Sequence, residues 1–374
     1  MNMLSSSVPH AAGKQAFSRN GANNIQRLSP IARTASIPAS SDKLAPSEIV
    51  ELGKSGVKVP CVGLGAWSWG DRSGYWGYEK EYGKSQSRDA WDAALKSGLT
   101  FIDTAEVYGF GKSEEFIGDF LQETGTKEPT DVQIATKFAP LPWRLSSKSV
   151  PIALKASLER MRLPRTTLYM QHWPGFFINA FSNDAYIEGL AACKQQDLCE
   201  AVGVSNFNAE RTRKAAARLG QSGIPLASNQ VQYSLLYRAP ETNGVLEACR
   251  EGGTTLVAYS PLCQGLLTGK YTVGGPRPFG PRSALFSDQR RREVEPLLSL
   301  LHAIGKERQK TPAQISINWC VCKGTLPIPG AKDAQQMEDI AGAIGWRLSD
   351  GEMAELDKVS SSIPASTGAP FEKW

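Results

Sequence analysis

Eight short apolar runs recur between residues 62 and 331, and segments with helical signals lie between them. The runs are 62–67 (VGLGAW), 99–105 (LTFIDTA), 132–138 (VQIATKF), 168–173 (LYMQHW), 200–207 (EAVGVSNF), 228–233 (SNQVQY), 255–262 (TLVAYSPL) and 326–331 (LPIPGA). Near-continuous apolar runs of this length belong to strands covered on both faces, the habit of parallel sheets wrapped in helices. Eight strand-and-helix units fit an α/β fold, a (β/α)8 TIM barrel. A doubly wound sheet is the other architecture open to this pattern.

Local signals mark the boundaries. Residues 49–60 (IVELGKSGVKVP) alternate apolar and polar positions around Lys54, Ser55 and Gly56, which predicts an N-terminal antiparallel β-hairpin that plugs one barrel end. Ser87 precedes a helical pattern closing on Gly98, Thr311 and Pro312 open another, and Ser349 with Glu352 forms a capping box.

The first forty-odd residues differ from the rest. They hold no Asp or Glu before Asp42, many Ser and Ala, and sparse cations at Lys14, Arg19, Arg27 and Arg33. Such a segment cannot build a core and reads as a disordered, cleavable plastid transit peptide over residues 1–45. The folded part is then 46–374, with the plastid stroma as its expected location. The net charge of +5 includes no basic block of the kind that tracks nucleic acid, and no apolar run approaches a bilayer span. The seven cysteines form no CxxC pair, which argues against a zinc ribbon or a disulfide scaffold, and no metal site is expected. Cys320 and Cys322 read as small apolar members of a packed helix.

Glycine motifs for nucleotides fail. Glu106 stands where a phosphate-binding P-loop ending at Gly111, Lys112 and Ser113 needs its first glycine, and 63–70 (GLGAWSWG) lacks the third glycine of a dinucleotide fingerprint. Polar residues instead cluster at the ends of the apolar runs: Trp67, Asp103, Lys137, His172, Ser205 with Asn206, Gln230, and Tyr259 with Ser260. A barrel gathers its strand ends at one mouth. Lys137 and His172 interrupt segments that should be buried, where an unpaired charge is costly.

Asp103, Tyr108, Lys137 and His172 make chemical sense together. A phenol is a poor acid at neutral pH, and a nearby ammonium favours its proton donation. A carboxylate keeps that ammonium charged, and an imidazole hydrogen-bonds and orients a carbonyl oxygen. Such a set protonates an oxygen on which negative charge is developing, as on a carbonyl that receives a hydride.

With these residues in view, the chain resembles the aldo-keto reductase superfamily from about Glu51 to Asp350. The motifs that carry the likeness are FIDTAEVYGFGKSE, IATK, LYMQHWPG, GVSNF, SNQVQYSLL, AYSPL and IPGAKDAQQMED, in that order. The resemblance implies a barrel that binds NADPH extended, with no glycine fingerprint. It makes Tyr108 the proton donor, supported by Lys137 and Asp103, with His172 orienting the carbonyl. It places Ser205, Asn206 and Gln230 on the carboxamide, Tyr259 against the nicotinamide, and Ser260 and Leu262 on the pyrophosphate. The adenosine end falls to the segment with Gly330, Lys332, Gln336 and Asp339, and Lys332 and Gln336 lie where a 2′-phosphate is expected.

The expected activity is NADPH-dependent reduction of a small aldehyde or ketone by a monomer. Two alternatives stay open: a pyridoxal reductase, as among some plastid relatives, and a redox-sensing NADPH-binding subunit with little turnover. Trp67, Trp143 and Trp173 are expected to line the substrate pocket, with Trp69 and Phe176 as further candidates. Residues 263–310, rich in Gly, Pro and Arg, are expected to supply a long cofactor-covering loop.

Overall fold

The computed structural model describes residues 48–124 and 132–365. The expected targeting segment, 1–45, lies outside them. A hairpin comes first, with Ile49–Glu51 (β1) antiparallel to Lys58–Pro60 (β2). Eight parallel strands follow in sequence order: Leu64–Gly65 (β3), Phe101–Asp103 (β4), Gln133–Phe138 (β5), Thr166–Gln171 (β6), Cys199–Ser205 (β7), Leu226–Gln232 (β8), Thr255–Tyr259 (β9) and Leu326–Ile328 (β10). Gly63 N donates to Pro327 O at 2.9 Å, Gly65 N donates to Pro329 O at 2.9 Å, and Gly65 bridges Gly330. These bonds join first strand to last, so the sheet closes as a (β/α)8 barrel.

The helices are Lys84–Lys96 (α1), Lys112–Glu123 (α2), Ser149–Met161 (α3), Asn183–Gln195 (α4), Ala209–Gly220 (α5), Ala239–Thr242 (α6), Val245–Gly252 (α7), Asp288–Arg308 (α8), Pro312–Cys322 (α9), Ala334–Ala341 (α10) and Asp350–Ser361 (α11). The expected cap at Thr311 and capping box at Ser349 are present, and Gln314 makes the former a capping box as well. Helix α1 begins earlier than expected, at the Gly83 cap, and Ser87 lies inside it with its hydroxyl donating to Gly83 O. The segment 263–310 is not one continuous loop. The Ser287 hydroxyl accepts from Arg290 N and starts the 21-residue α8, so the irregular part ends near 287.

Inside the barrel, Phe101, Ala135, Leu168, Met170, Ala201, Val257 and Leu326 pack in one apolar cluster with Leu52 and Val59 of the hairpin segment. The hairpin therefore contributes to this interior core, as a plug does. Space there is tight: a Cβ at Gly63 would lie 2.7 Å from the Phe101 ring. Because side chains alternate along a strand, residues two apart share a face. Phe101 and Asp103, Ala135 and Lys137, and Leu168, Met170 and His172 thus each run from the apolar interior toward the C-terminal mouth. Cys320 and Cys322 sit in α9 as expected, and six of the seven free cysteines are buried.

Candidate active site

At that mouth a cleft of about 1060 Å³ runs from Tyr108 and His172, past Asn206 and Tyr259, to Lys332 and Asp339. Lys137 lies fully buried beneath it, with its Nζ 2.5 Å from Asp103 Oδ1. The same ammonium donates to Thr104 O at 2.8 Å and to Tyr108 Oη at 3.4 Å. The other carboxylate oxygen, Asp103 Oδ2, accepts from Gln230 Nε2 at 2.8 Å. Every charged atom of this buried pair is therefore bonded, the condition under which such a pair is tolerated. Burial pushes the Asp103 carboxyl up and the Lys137 ammonium down, and each partner opposes the other's shift.

Tyr108 follows β4 on a tight turn in which Gly109 and Phe110 both take positive φ, 57° and 56°. Its ring meets the His172 ring edge-on at 5.6 Å, with the Lys137 ammonium 4.9 Å from its centroid. Burial and the Asp103 charge raise its hydroxyl well above the ordinary phenol value. That differs from the acidification expected from the neighbouring lysine. Burial is the larger cause, and the phenol keeps its proton across neutral pH. His172 moves the other way: burial and the Lys137 charge push it well below its ordinary value, and the imidazole is neutral. Its Nδ1 is buried with no hydrogen-bond partner among the described residues.

Further along, Ser205 Oγ donates to Gln230 O at 2.8 Å, Asn206 Nδ2 donates to His172 O at 3.0 Å, and Tyr259 Oη donates to Asn206 Oδ1 at 3.0 Å. Asn206 and Ser260 hold positive φ, 60° and 52°. All ten residues expected at the cofactor line this cleft. Lys332 differs from expectation in one respect: its Nζ is engaged by Glu81 Oε2 at 3.0 Å and by Trp76 O.

The substrate-pocket expectations divide. Trp67 and Trp173 line the cleft. Trp67 stacks on Tyr75 at 5.7 Å and on Tyr108 at 6.2 Å, with Trp76 edge-on at 5.2 Å. Trp143, on the loop after β5, lies outside the cleft lining and is 74% exposed, its ring in solvent rather than against the site. Trp69 is fully buried, edge-on to Phe120. Phe176 does not line the cleft either.

Arg282 was missed. It is 7% exposed, lies over the Trp76 ring at 5.0 Å, and donates from Nη1 to Gln264 O at 3.1 Å. Its Nε has no partner, and no carboxylate lies within ion-pair distance among the described residues. A buried cation lining a cleft without an acid is suited to an anionic ligand. Nothing in the sequence distinguishes it from Arg277 or Arg290.

The aldo/keto reductase family model matches residues 61–361. The chain belongs to the aldo/keto reductase family. It is 37% identical over 353 residues to the chloroplastic pyridoxal reductase of Arabidopsis thaliana, covering 93% of each chain. Among solved structures, the glycerol dehydrogenase of Gluconobacter oxydans superposes with TM-score 0.73 at 25% identity, covering 87% of this chain and 99% of that one. An aldo-keto reductase from Klebsiella pneumoniae in complex with NADPH does so with TM-score 0.63 at 25% identity, covering 83% and 93%.

Proposed function

We propose that this aldo/keto reductase reduces a small aldehyde or ketone with NADPH, using Tyr108 as the acid. The observation that carries the reading is the convergence of Tyr108, His172 and the bonded Lys137–Asp103 pair at one end of a cleft long enough for a dinucleotide. At about 1060 Å³ it stands at the upper end of the roughly 300–1,000 Å³ of ordinary ligand pockets. The NADPH-bound bacterial relative supports the choice of cofactor. So do the side chains here: Lys270, Arg282 and Lys332 line the cleft, and the Arg282 Nε lacks a partner that a phosphate oxygen would supply.

When bound, NADPH supplies a hydride to the carbonyl carbon. Tyr108 Oη gives its proton to the carbonyl oxygen as charge builds there, and solvent reprotonates the phenol. The Lys137 ammonium stabilises the transient phenolate, and Asp103 holds that ammonium in place. The neutral His172 orients the carbonyl oxygen by hydrogen bonding. Ser205, Asn206 and Gln230 would hold the carboxamide, and Tyr259 would offer its ring face to the nicotinamide.

The aromatic wall favours a planar aldehyde, and pyridoxal is the specific reading. Lys137, the one described cation in contact with Tyr108 or His172, is committed to Asp103. A phosphate beside the carbonyl would meet no free cation there, so pyridoxal is preferred over its 5′-phosphate. The Arabidopsis relative's name supports this, and together with the Ser-rich, acid-poor residues 1–45 it supports a plastid location.

The test is NADPH oxidation over a panel of aldehydes and ketones, with pyridoxal and pyridoxal 5′-phosphate compared directly. Tyr108→Phe should lower turnover by about 10²–10⁴-fold while NADPH still binds. Turnover that survives in the variant removes Tyr108 as the acid. Absent turnover in both proteins, with NADPH bound, favours a sensing subunit.

A further inference from the structure

A buried carboxylate has two oxygens to satisfy, and Lys137 takes only one of those on Asp103. The second, Oδ2, accepts from Gln230 Nε2 at 2.8 Å. Gln230 reaches it from β8, directly across the closed ring of eight from β4, with three strands between them on either side. The two residues stand 127 positions apart in the chain. Gln230 is buried, and its backbone is fixed too: its carbonyl accepts from Asn206 N at 2.9 Å and from Ser205 Oγ at 2.8 Å.

The chemistry of the amide allows one orientation. An ionised carboxylate only accepts hydrogen bonds, so the NH2 end of Gln230 must face Asp103; turned over, two acceptors would meet. That leaves Oε1 for the cleft, which Gln230 lines. The titratable groups around the pair are Lys137 from β5, Tyr108 after β4 and His172 after β6, while Glu114 of α2 acts on Lys137. Burial drives the Asp103 carboxyl up, and the two groups that draw it back are Lys137 and Gln230. An amide that accepts at its oxygen donates more strongly at its nitrogen. A carboxamide on Oε1 would therefore tighten the bond to Asp103.

We propose that Gln230 is a positioning residue for the proton donor: its Nε2 holds Asp103, which holds Lys137 beside Tyr108, so that one amide joins the nicotinamide seat to the acid. The inference rests on Tyr108 being that acid. A contact with the carboxamide alone would make Gln230 matter for cofactor affinity. The link to Asp103 makes it matter for the rate once the cofactor is bound.

The experiment compares the full chain with Gln230→Leu and Gln230→Glu. It reads kcat for aldehyde reduction at saturating NADPH between about pH 6 and 9, and the NADPH dissociation constant by tryptophan fluorescence. Gln230→Leu removes the donor, so its kcat should fall by about 10–100-fold at every pH, the range for a hydrogen bond to a charged group. Gln230→Glu can donate to Asp103 only while its new carboxyl is protonated, a state that burial and the neighbouring carboxylate favour well above the ordinary range. Its kcat should be near wild type at about pH 6 and fall toward the Gln230→Leu rate by about pH 9. A carboxamide contact alone gives the opposite pattern. The ionised carboxylate is the better acceptor, so NADPH would bind more tightly as pH rises while kcat stays level. Circular dichroism and thermal midpoints check that both variants fold. A folded Gln230→Leu with wild-type kcat, or a Gln230→Glu with the same kcat across the range, would overturn the inference and leave Tyr108 as the acid. A wild type with no turnover would overturn the reading of Tyr108, and this inference with it.

Discussion

Lys137 and Asp103 are buried and bonded to each other, so neither can be removed alone at low cost. Lys137→Met leaves Asp103 buried against an apolar side chain, a change expected to cost about 3–5 kcal/mol. Chemical denaturation should show that loss, and pairing the change with Asp103→Leu should restore stability without restoring turnover. A variant as stable as wild type would mean that the carboxyl is already protonated. The two groups in direct line with a substrate carry opposite shifts, and both favour the reducing direction. Tyr108 is held above its ordinary range and stays protonated, while His172 is held below its ordinary 6.5 and stays neutral. The kcat/KM for reduction should therefore be level between about pH 6 and 9, because neither group changes state there. An inflection near neutrality that disappears in His172→Gln would contradict this. The depressed imidazole also affects stability. The unfolded chain takes up a proton near pH 6.5 that the native chain refuses, so this contribution is present above that pH and is lost as pH falls below it.

At the scale of elements, the strands work through their period of two. Strands such as β4 and β5 carry apolar residues into the barrel and deliver one polar side chain to the mouth, so a single-residue slip in β5 would turn Lys137 outward and Thr136 inward. Thr136 already has a use on the outer face, where its Oγ1 donates to Glu114 Oε1 at 2.6 Å and Arg160 Nε donates to Glu114 Oε2 at 2.7 Å. The last helix, α11, shows how a terminus is fixed. Glu352 closes the capping box by accepting from Ser349 N at 2.7 Å, and it takes Arg308 of α8 through two bonds of 2.6 Å. Arg308 and Ser349 push its carboxyl down to about 2. A carboxyl depressed in the folded state stabilises above its unfolded value and loses that contribution as pH falls toward the folded one. Glu352→Gln should thus be less stable at pH 7 by about 1 kcal/mol, and the gap should close near pH 2. A gap that persists in acid would place the effect in packing rather than charge.

For the whole molecule, the far end of the cleft depends on segments distant in sequence. The loop after β3 and the irregular segment 263–287 meet across it: Arg282 lies over Trp76, Lys80 over Phe279, and Tyr75 bonds Gln264. Arg282→Met should keep the ring contact with Trp76 while losing the charge. NADPH binding, followed by tryptophan fluorescence, should weaken by about 10–100-fold, the range for one charge-assisted hydrogen bond. An unchanged dissociation constant would remove Arg282 from the phosphate site.

The sequence by itself determined the barrel and much of its floor. Eight apolar runs at helix-spaced intervals leave few other ways to bury both sheet faces. Asp103, Lys137 and His172 stood out because a polar residue in such a run is a local anomaly that needs no partner to be noticed. Tyr108 took its meaning from them and from the family motif around it. Only the tertiary structure could decide the rest. Glu81 engages Lys332 and Arg282 covers Trp76 across gaps of some two hundred residues or more, and no local pattern encodes such a meeting. Whether a tryptophan faces the cleft or the rim was also undecided, since Trp67, Trp69 and Trp143 look alike in sequence. Their surroundings separate them, because loop direction is set by long-range bonds such as Asn179 to Pro140. Strand period is a property of adjacent residues, whereas the facing of a loop is fixed by whatever the fold brings beside it.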